Sequence, residues 1–135
     1  MKWQSREILD LGKDRHLDKE EFLFNAMDPA DALYLVKSGS LRVYNMDEQG
    51  REMEIVRLGP GDFLGEAIVF AASSFPFFAQ ASERSHILIF EKRDIFDLID
   101  QSPSAARYFI ELMAQKCIVL NKRMEALGLM TVSYT

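Results

Sequence analysis

The residues of this 135-residue chain whose types and spacing could do chemistry are concentrated in one stretch. It runs Leu58-Gly59-Pro60-Gly61-Asp62-Phe63-Leu64-Gly65-Glu66 and leads on to Phe75-Pro76-Phe77-Phe78-Ala79. Gly65-Glu66 opens a short helical turn expected over 67–72, which would present backbone N–H groups and one carboxylate to a ligand. A carboxylate so placed accepts hydrogen bonds from a sugar hydroxyl; equally, it caps the backbone of its own turn, and capping is the expected role. The segment beyond Glu66 is apolar. From Ala67 to Ser82 no residue carries a charge, and five of the ten phenylalanines (Phe63, Phe70, Phe75, Phe77, Phe78) fall within 63–78. Burying an anion there without a cation costs more than backbone hydrogen bonds return. The stretch suits an apolar ligand, or no ligand.

Other chemistries find few residues to work with. The single cysteine, Cys117, excludes an intrachain disulfide, an iron–sulfur cluster and a zinc site built on several thiolates. Only His16 and His86 are present, far apart and with no His-x-His, so a metal-holding jelly-roll enzyme is not expected. There is no Gly-x-Ser-x-Gly, phosphate-binding loop or usefully spaced Cys/His pair. Cys117 reads as a small hydrophobe on a helix. No catalytic residue and no metal ligand are predicted.

Charge and hydropathy narrow the partners. Sixteen Lys and Arg against 21 Asp and Glu leave a net charge of −5, a poor balance for binding nucleic acid through phosphates. No apolar run approaches the roughly 20 residues that span a bilayer. Lys2, Arg6, Glu7 and Asp10 interrupt the N-terminus where an export signal would be apolar. A cytoplasmic location without a membrane partner is expected.

The elements that must position the stretch are mainly strands. A short helix is expected over 3–11, then strands from about Arg15, at 21–24, 32–36, 41–46, 52–58, 77–82 and 86–90. Asp28-Pro29-Ala30-Asp31, Ser38-Gly39-Ser40, Asp47-Glu48-Gln49-Gly50 and Gly59-Pro60-Gly61-Asp62 are turns. Short strands at close spacing predict an antiparallel β-roll of jelly-roll type over about 13–90. Ile95, Phe96, Leu98 and Ile99 then repeat at helical spacing over 92–101. Ser102-Pro103 restarts a helix, with Ser as N-cap and Pro at the first helical position, expected over 103–130. Along it Met113, Cys117, Leu120, Met124 and Leu127 form a heptad seam, flanked by Lys116, Lys122, Arg123 and Glu125. Phe109, Ile110 and Leu112 supply docking surface near its start. The later seam is therefore expected to meet a second copy in a parallel two-fold contact; the alternative is packing on its own roll.

Strands, then Gly61-Asp62-Phe63-Leu64-Gly65-Glu66, a short helix, a Pro-containing strand and a long C-terminal helix resemble the cyclic-nucleotide-binding-domain fold. The resemblance is in particular to sensor domains of Crp/Fnr-type bacterial transcription regulators, and covers about Arg15 to Thr135. Further matches are Ala32-Leu33-Tyr34-Leu35-Val36-Lys37-Ser38-Gly39, Leu41-Arg42-Val43 and Arg123-Met124-Glu125-Ala126-Leu127. It implies a pocket at Phe63, Gly65, Glu66, Ala67, Phe77, Phe78 and Ala79. Leu120 and Asn121 of the long helix would lie near a bound base, or Leu120 in a dimer core. In nucleotide-binding members an Arg followed by Ser or Thr neutralises the phosphate; those positions fall on Phe77 and Phe78.

The resemblance thus implies an effector-sensing, dimerising domain of a transcription regulator that does not respond to cyclic AMP, its effector and any cofactor unknown. One alternative is a nucleotide-binding module whose phosphate is neutralised by Arg42, Arg51, Arg57 or Arg84. Others are a haem or apolar-ligand sensor, with His16 or His86 as candidate ligands, and a packed, empty roll. Relatives continue into a helix-turn-helix domain. This sequence stops where the resemblance places the hinge before that domain; truncation is expected, with DNA reached only through the missing domain, and a stand-alone sensor is the alternative.

Overall fold

The computed structural model describes residues 6–71 and 73–128, with the side chains of all but Ala67, Leu120 and Arg123. Among these residues, eight strands pair antiparallel in two four-stranded sheets. The first has the order β1 (Lys13–Leu17), β8 (Ser85–Glu91), β3 (Ala32–Ser38), β6 (Phe63–Leu64). The second has the order β2 (Phe22–Phe24), β7 (Phe78–Ala81), β4 (Leu41–Met46), β5 (Glu52–Leu58). Four helices flank them: α1 (Arg6–Leu9), α2 (Glu66–Ala71), α3 (Lys92–Gln101) and α4 (Pro103–Ala126).

The central strands of the first sheet, β3 and β8, are buried on both faces, which explains their apolar sequences. Along β3 the side chains alternate with the pleat. Ala32, Tyr34 and Val36 enter the roll interior with Leu17, Phe24, Leu41, Val43, Phe75, Ala79 and Ile87. Leu33 and Leu35 point the other way, with Leu88 and Phe90, against Ile8, Ile95, Phe109 and Leu112 of the helices. The first sheet is thus a partition between a roll core and a helical layer. Gly39 joins β3 to β4 at φ +88, and a Cβ there would lie 2.6 Å from Arg84 O, so the turn requires glycine.

Several boundaries differ from expectation. The first strand segment expected is 21–24, whereas β1 precedes it and sets His16 opposite His86 on β8. Its sequence Lys-Asp-Arg-His-Leu edges the sheet and buries only Leu17, so no apolar alternation marks it. β6 has two residues, too few for any period. The N-terminal helix spans four residues, Arg6–Leu9; the expected residues 3–5 lie outside those described. Ser102 Oγ does accept the Ala105 N–H at 3.3 Å, closing the first turn of α4 as an N-cap. That helix stops at Ala126 rather than 130. Gly128, at φ +71, donates its N–H to Glu125 O at 3.0 Å, a left-handed C-terminal turn.

Candidate functional site

Gly65 and Glu66 lie where β6 passes into α2. Gly65 takes φ +95, and a Cβ there would crowd Phe75 Cε1 at 3.2 Å and Ala32 O at 3.3 Å. This close approach sets Glu66 against the roll, 7% exposed. Its Oε1 pairs with Lys116 Nζ of α4, and its Oε2 is buried with no hydrogen-bond partner. The expectation that Glu66 caps its own turn is therefore overturned: the carboxylate has a cation instead. Desolvating a carboxylate is costly enough that a paired ammonium outcompetes the backbone of a six-residue helix.

By sequence pattern Lys116 is only a flank of the heptad seam. Yet Phe109, Leu112 and Lys116 stand at i, i+3 and i+7, the spacing of one helical face. Phe109 and Leu112 are buried against the first sheet, and their face carries Lys116 to Glu66. That spacing was the signal available in the sequence.

The phenylalanines divide three ways. Phe75 is fully buried in the roll interior and stacks on Phe24 at 3.9 Å between ring centroids. Phe77, half-buried, packs beside both, at 5.9 Å from Phe24 and 6.1 Å from Phe75. Ala79 is fully buried in the same cluster. Phe78 is not in that interior. The β7 pleat turns it to the outer face of the second sheet, where it stacks on Tyr44 at 5.2 Å and edges Phe22 at 6.3 Å. Phe63 also departs from the expected pocket, packing in the helix-side cluster with Leu33, Phe90 and Phe109. The strand period of two sends alternate side chains to opposite faces, so neighbours cannot share one pocket.

The side chains of Ala67 and Leu120, both expected at the site, lie outside the described residues. Asn121 is half-buried on α4. Five residues beyond Lys116, it stands about 140° around the helix from it, so the two face different ways.

Three of the four arginines considered for a phosphate are engaged elsewhere. Arg42 lies over the Tyr44 ring at 4.1 Å and bonds both oxygens of Glu52 at 2.7 Å and Gln80 Oε1 at 3.1 Å. Arg51 pairs with Asp47 at 2.8 Å and Arg57 with Glu54 at 2.9 Å. Arg84 is exposed in the turn between β7 and β8. A surface groove of about 510 Å³ runs past Lys19, Glu20, Arg42, Glu52, Arg57 and Gln80. Another, of about 720 Å³, runs past Asp31, Glu91, Lys92, Arg93 and Phe96. Glu66 and Phe77 line neither.

His16 and His86 stack at 4.4 Å, and His86 Nε2 lies 2.6 Å from Asp14 Oδ1. Both alternate with inward residues, Leu17 and Ile87, and so face away from the roll interior. The interior cluster holds no His, Cys or Met among the described residues, and Tyr34 is its one side chain there of a type that ligates haem iron.

Along α4 Met113 is half-buried, while Cys117 and Met124 of the seam, and Leu127 just past the helix end, are exposed, the last at 71%. Ile110, one step earlier on the same stripe, is 68% exposed. No helix among the described residues is long and apolar enough to cross a membrane, and no group of three or more metal-ligating side chains occurs among them.

Residues 14–102 match the family described as cyclic nucleotide-binding domain. Among curated relatives, the anaerobic regulatory protein of Pasteurella multocida is 31% identical over 121 residues, 84% of this chain and 44% of that protein. The cyclic AMP receptor protein of Thermus thermophilus is 31% identical over 94 residues, 70% of this chain and 44% of the relative. This chain thus spans less than half of either. The solved Thermus thermophilus catabolite activator protein superposes with a TM-score of 0.76 at 26% identity, over 93% of this chain and 61% of that one.

Proposed function

Because this chain belongs to the cyclic nucleotide-binding domain family, with Crp/Fnr-type regulators among its relatives, we propose that it is the effector-sensing and dimerising part of a transcription regulator and does not respond to cyclic AMP. The observation that carries this reading is Phe77. It occupies the position where nucleotide-binding members are expected to place the phosphate-neutralising Arg, and it packs against Phe24 and Phe75. A cyclic phosphodiester there would meet aromatic carbon rather than a guanidinium. The exposed apolar residues Cys117 and Met124 of α4, and Leu127 just past its end, support dimerisation, with Met113 and Leu120 in the same heptad pattern. In this reading the protein is not an enzyme, works in the cytoplasm and reaches DNA through a separate helix-turn-helix domain. An effector acts by biasing how two copies of α4 pack.

A thermal melt with excess cyclic AMP or cyclic GMP tests the reading. Ligand at a hundred times its dissociation constant adds about 2.7 kcal/mol, a shift of several degrees. The expected result is no shift with either. The relative named as a cyclic AMP receptor keeps the other outcome open to measurement: a clear rise overturns the reading and assigns phosphate neutralisation to a different cation.

A further inference from the structure

We propose that Lys116 is a latch: an internal cation on α4 that holds the Glu66 carboxylate, so that the packing of α4 depends on what occupies that carboxylate. Glu66 is more than nine-tenths buried, one oxygen taken by Lys116 and the other without a partner. A buried acceptor left unsatisfied attracts any donor that can reach it. The Lys116 side chain, by contrast, is 42% exposed, so water can receive it when a donor takes its place. Removing the ammonium with nothing to replace it leaves a buried, unpaired carboxylate. Exchange of one donor for another is thus open, and simple loss is penalised.

The position of Lys116 on α4 gives the exchange a consequence. Leu112 is the last buried residue of the helix among the described side chains, and most of those after it are exposed. Lys116 comes one turn later, immediately before Cys117 of the seam. It tethers the part of α4 that carries the proposed dimer contact. A ligand donor taking Glu66 would release that tether. The regulatory purpose rests on the sensing reading above, whereas the latch itself is tested without any ligand.

The experiment is amide hydrogen exchange on the whole chain, comparing wild type with Glu66→Gln, Lys116→Met, Lys116→Arg and the double variant Glu66→Gln/Lys116→Met. Amides of 114–126 are expected to exchange about tenfold faster in Glu66→Gln and in Lys116→Met, with no further gain in the double variant. Lys116→Arg should stay near wild type, and amides of β3 and β8 should remain protected in Glu66→Gln. Exchange over 114–126 in Glu66→Gln within about twofold of wild type overturns the latch, as does a Lys116→Arg protein as fast as Lys116→Met. If Lys116→Met alone does not fold, the double variant, which buries no charge, carries the comparison. Light scattering on the same samples reports the dimer separately, so loss of one idea leaves the other measurable.

Discussion

The rings of Phe24 and Phe75 lie face to face inside the roll, 3.9 Å between centroids and 10° from parallel. Tyr34 approaches both, at 5.6 and 6.1 Å, and Phe77 closes the group. Four aromatic side chains from β2, β3 and the segment before β7 thus occupy the interior beside Gly65. Phe75→Ala would remove the fully buried member and should cost about 3–5 kcal/mol, read by denaturant unfolding. Phe78→Ala, on the outer face, should cost distinctly less. Equal losses would contradict the division between inner and outer faces.

Phe77→Arg restores the charge that a phosphate would need but inserts a guanidinium among carbon. A loss of about 2 kcal/mol or more is expected, with no cyclic AMP affinity gained. A folded Phe77→Arg protein whose melting midpoint rises with cyclic AMP would show that the remaining pocket is intact.

Tyr34 makes the fold sensitive to alkali. Burial pushes its phenol up to about 12 from an ordinary 10. The neutral phenol is therefore favoured by folding: its contribution is complete below about pH 10 and is lost as pH rises towards 12, a change of roughly 2–3 kcal/mol. Tyr34→Phe should flatten that part of the stability profile, measured by urea unfolding between pH 9 and 12. An unchanged slope would remove Tyr34 as its cause.

Cys117 offers a direct probe of the proposed α4 contact, being the single cysteine and exposed. In a parallel two-fold contact along the seam, the two copies of Cys117 face each other, so mild oxidation should yield a cross-linked dimer on a non-reducing gel. Met124→Glu should abolish both the cross-link and the dimer mass in light scattering, because two carboxylates would meet in an apolar seam. A dimer that survives Met124→Glu would place the contact elsewhere.

Gly39→Ala should cost about 2 kcal/mol or more in a thermal melt, since the position needs φ +88 and a Cβ would strike the Arg84–Ser85 turn. Gly50→Ala keeps the conformational penalty at φ +80 but has nothing within 4 Å. The difference between the two isolates the steric part.

Local pattern was enough for β4 and β5, where alternating side chains and a polar turn coincide with Leu41–Met46 and Glu52–Leu58. It was enough for the Ser102 cap and for the Gly-Asp-Phe-x-Gly-Glu signature, because caps, turns and periods are written in neighbouring residues. It was not enough for β1, whose polar residues belong to a sheet edge made by β8, seventy positions away in register. Which phenylalanine faces inward depended on the β7 register, and a shift of one residue exchanges Phe77 for Phe78. The partner of Glu66 was legible only in part: the spacing of Phe109, Leu112 and Lys116 puts the ammonium on the docking face of α4, but no rule of spacing links it to a carboxylate on α2 fifty residues earlier. Only the docking of α4, through Phe109 and Leu112, brings that pair together. Sequence determined the class of fold and the absence of any charged residue over 67–82; tertiary packing decided which side chains share a space, since contacts across sheets and helices are set by the whole core rather than by any segment.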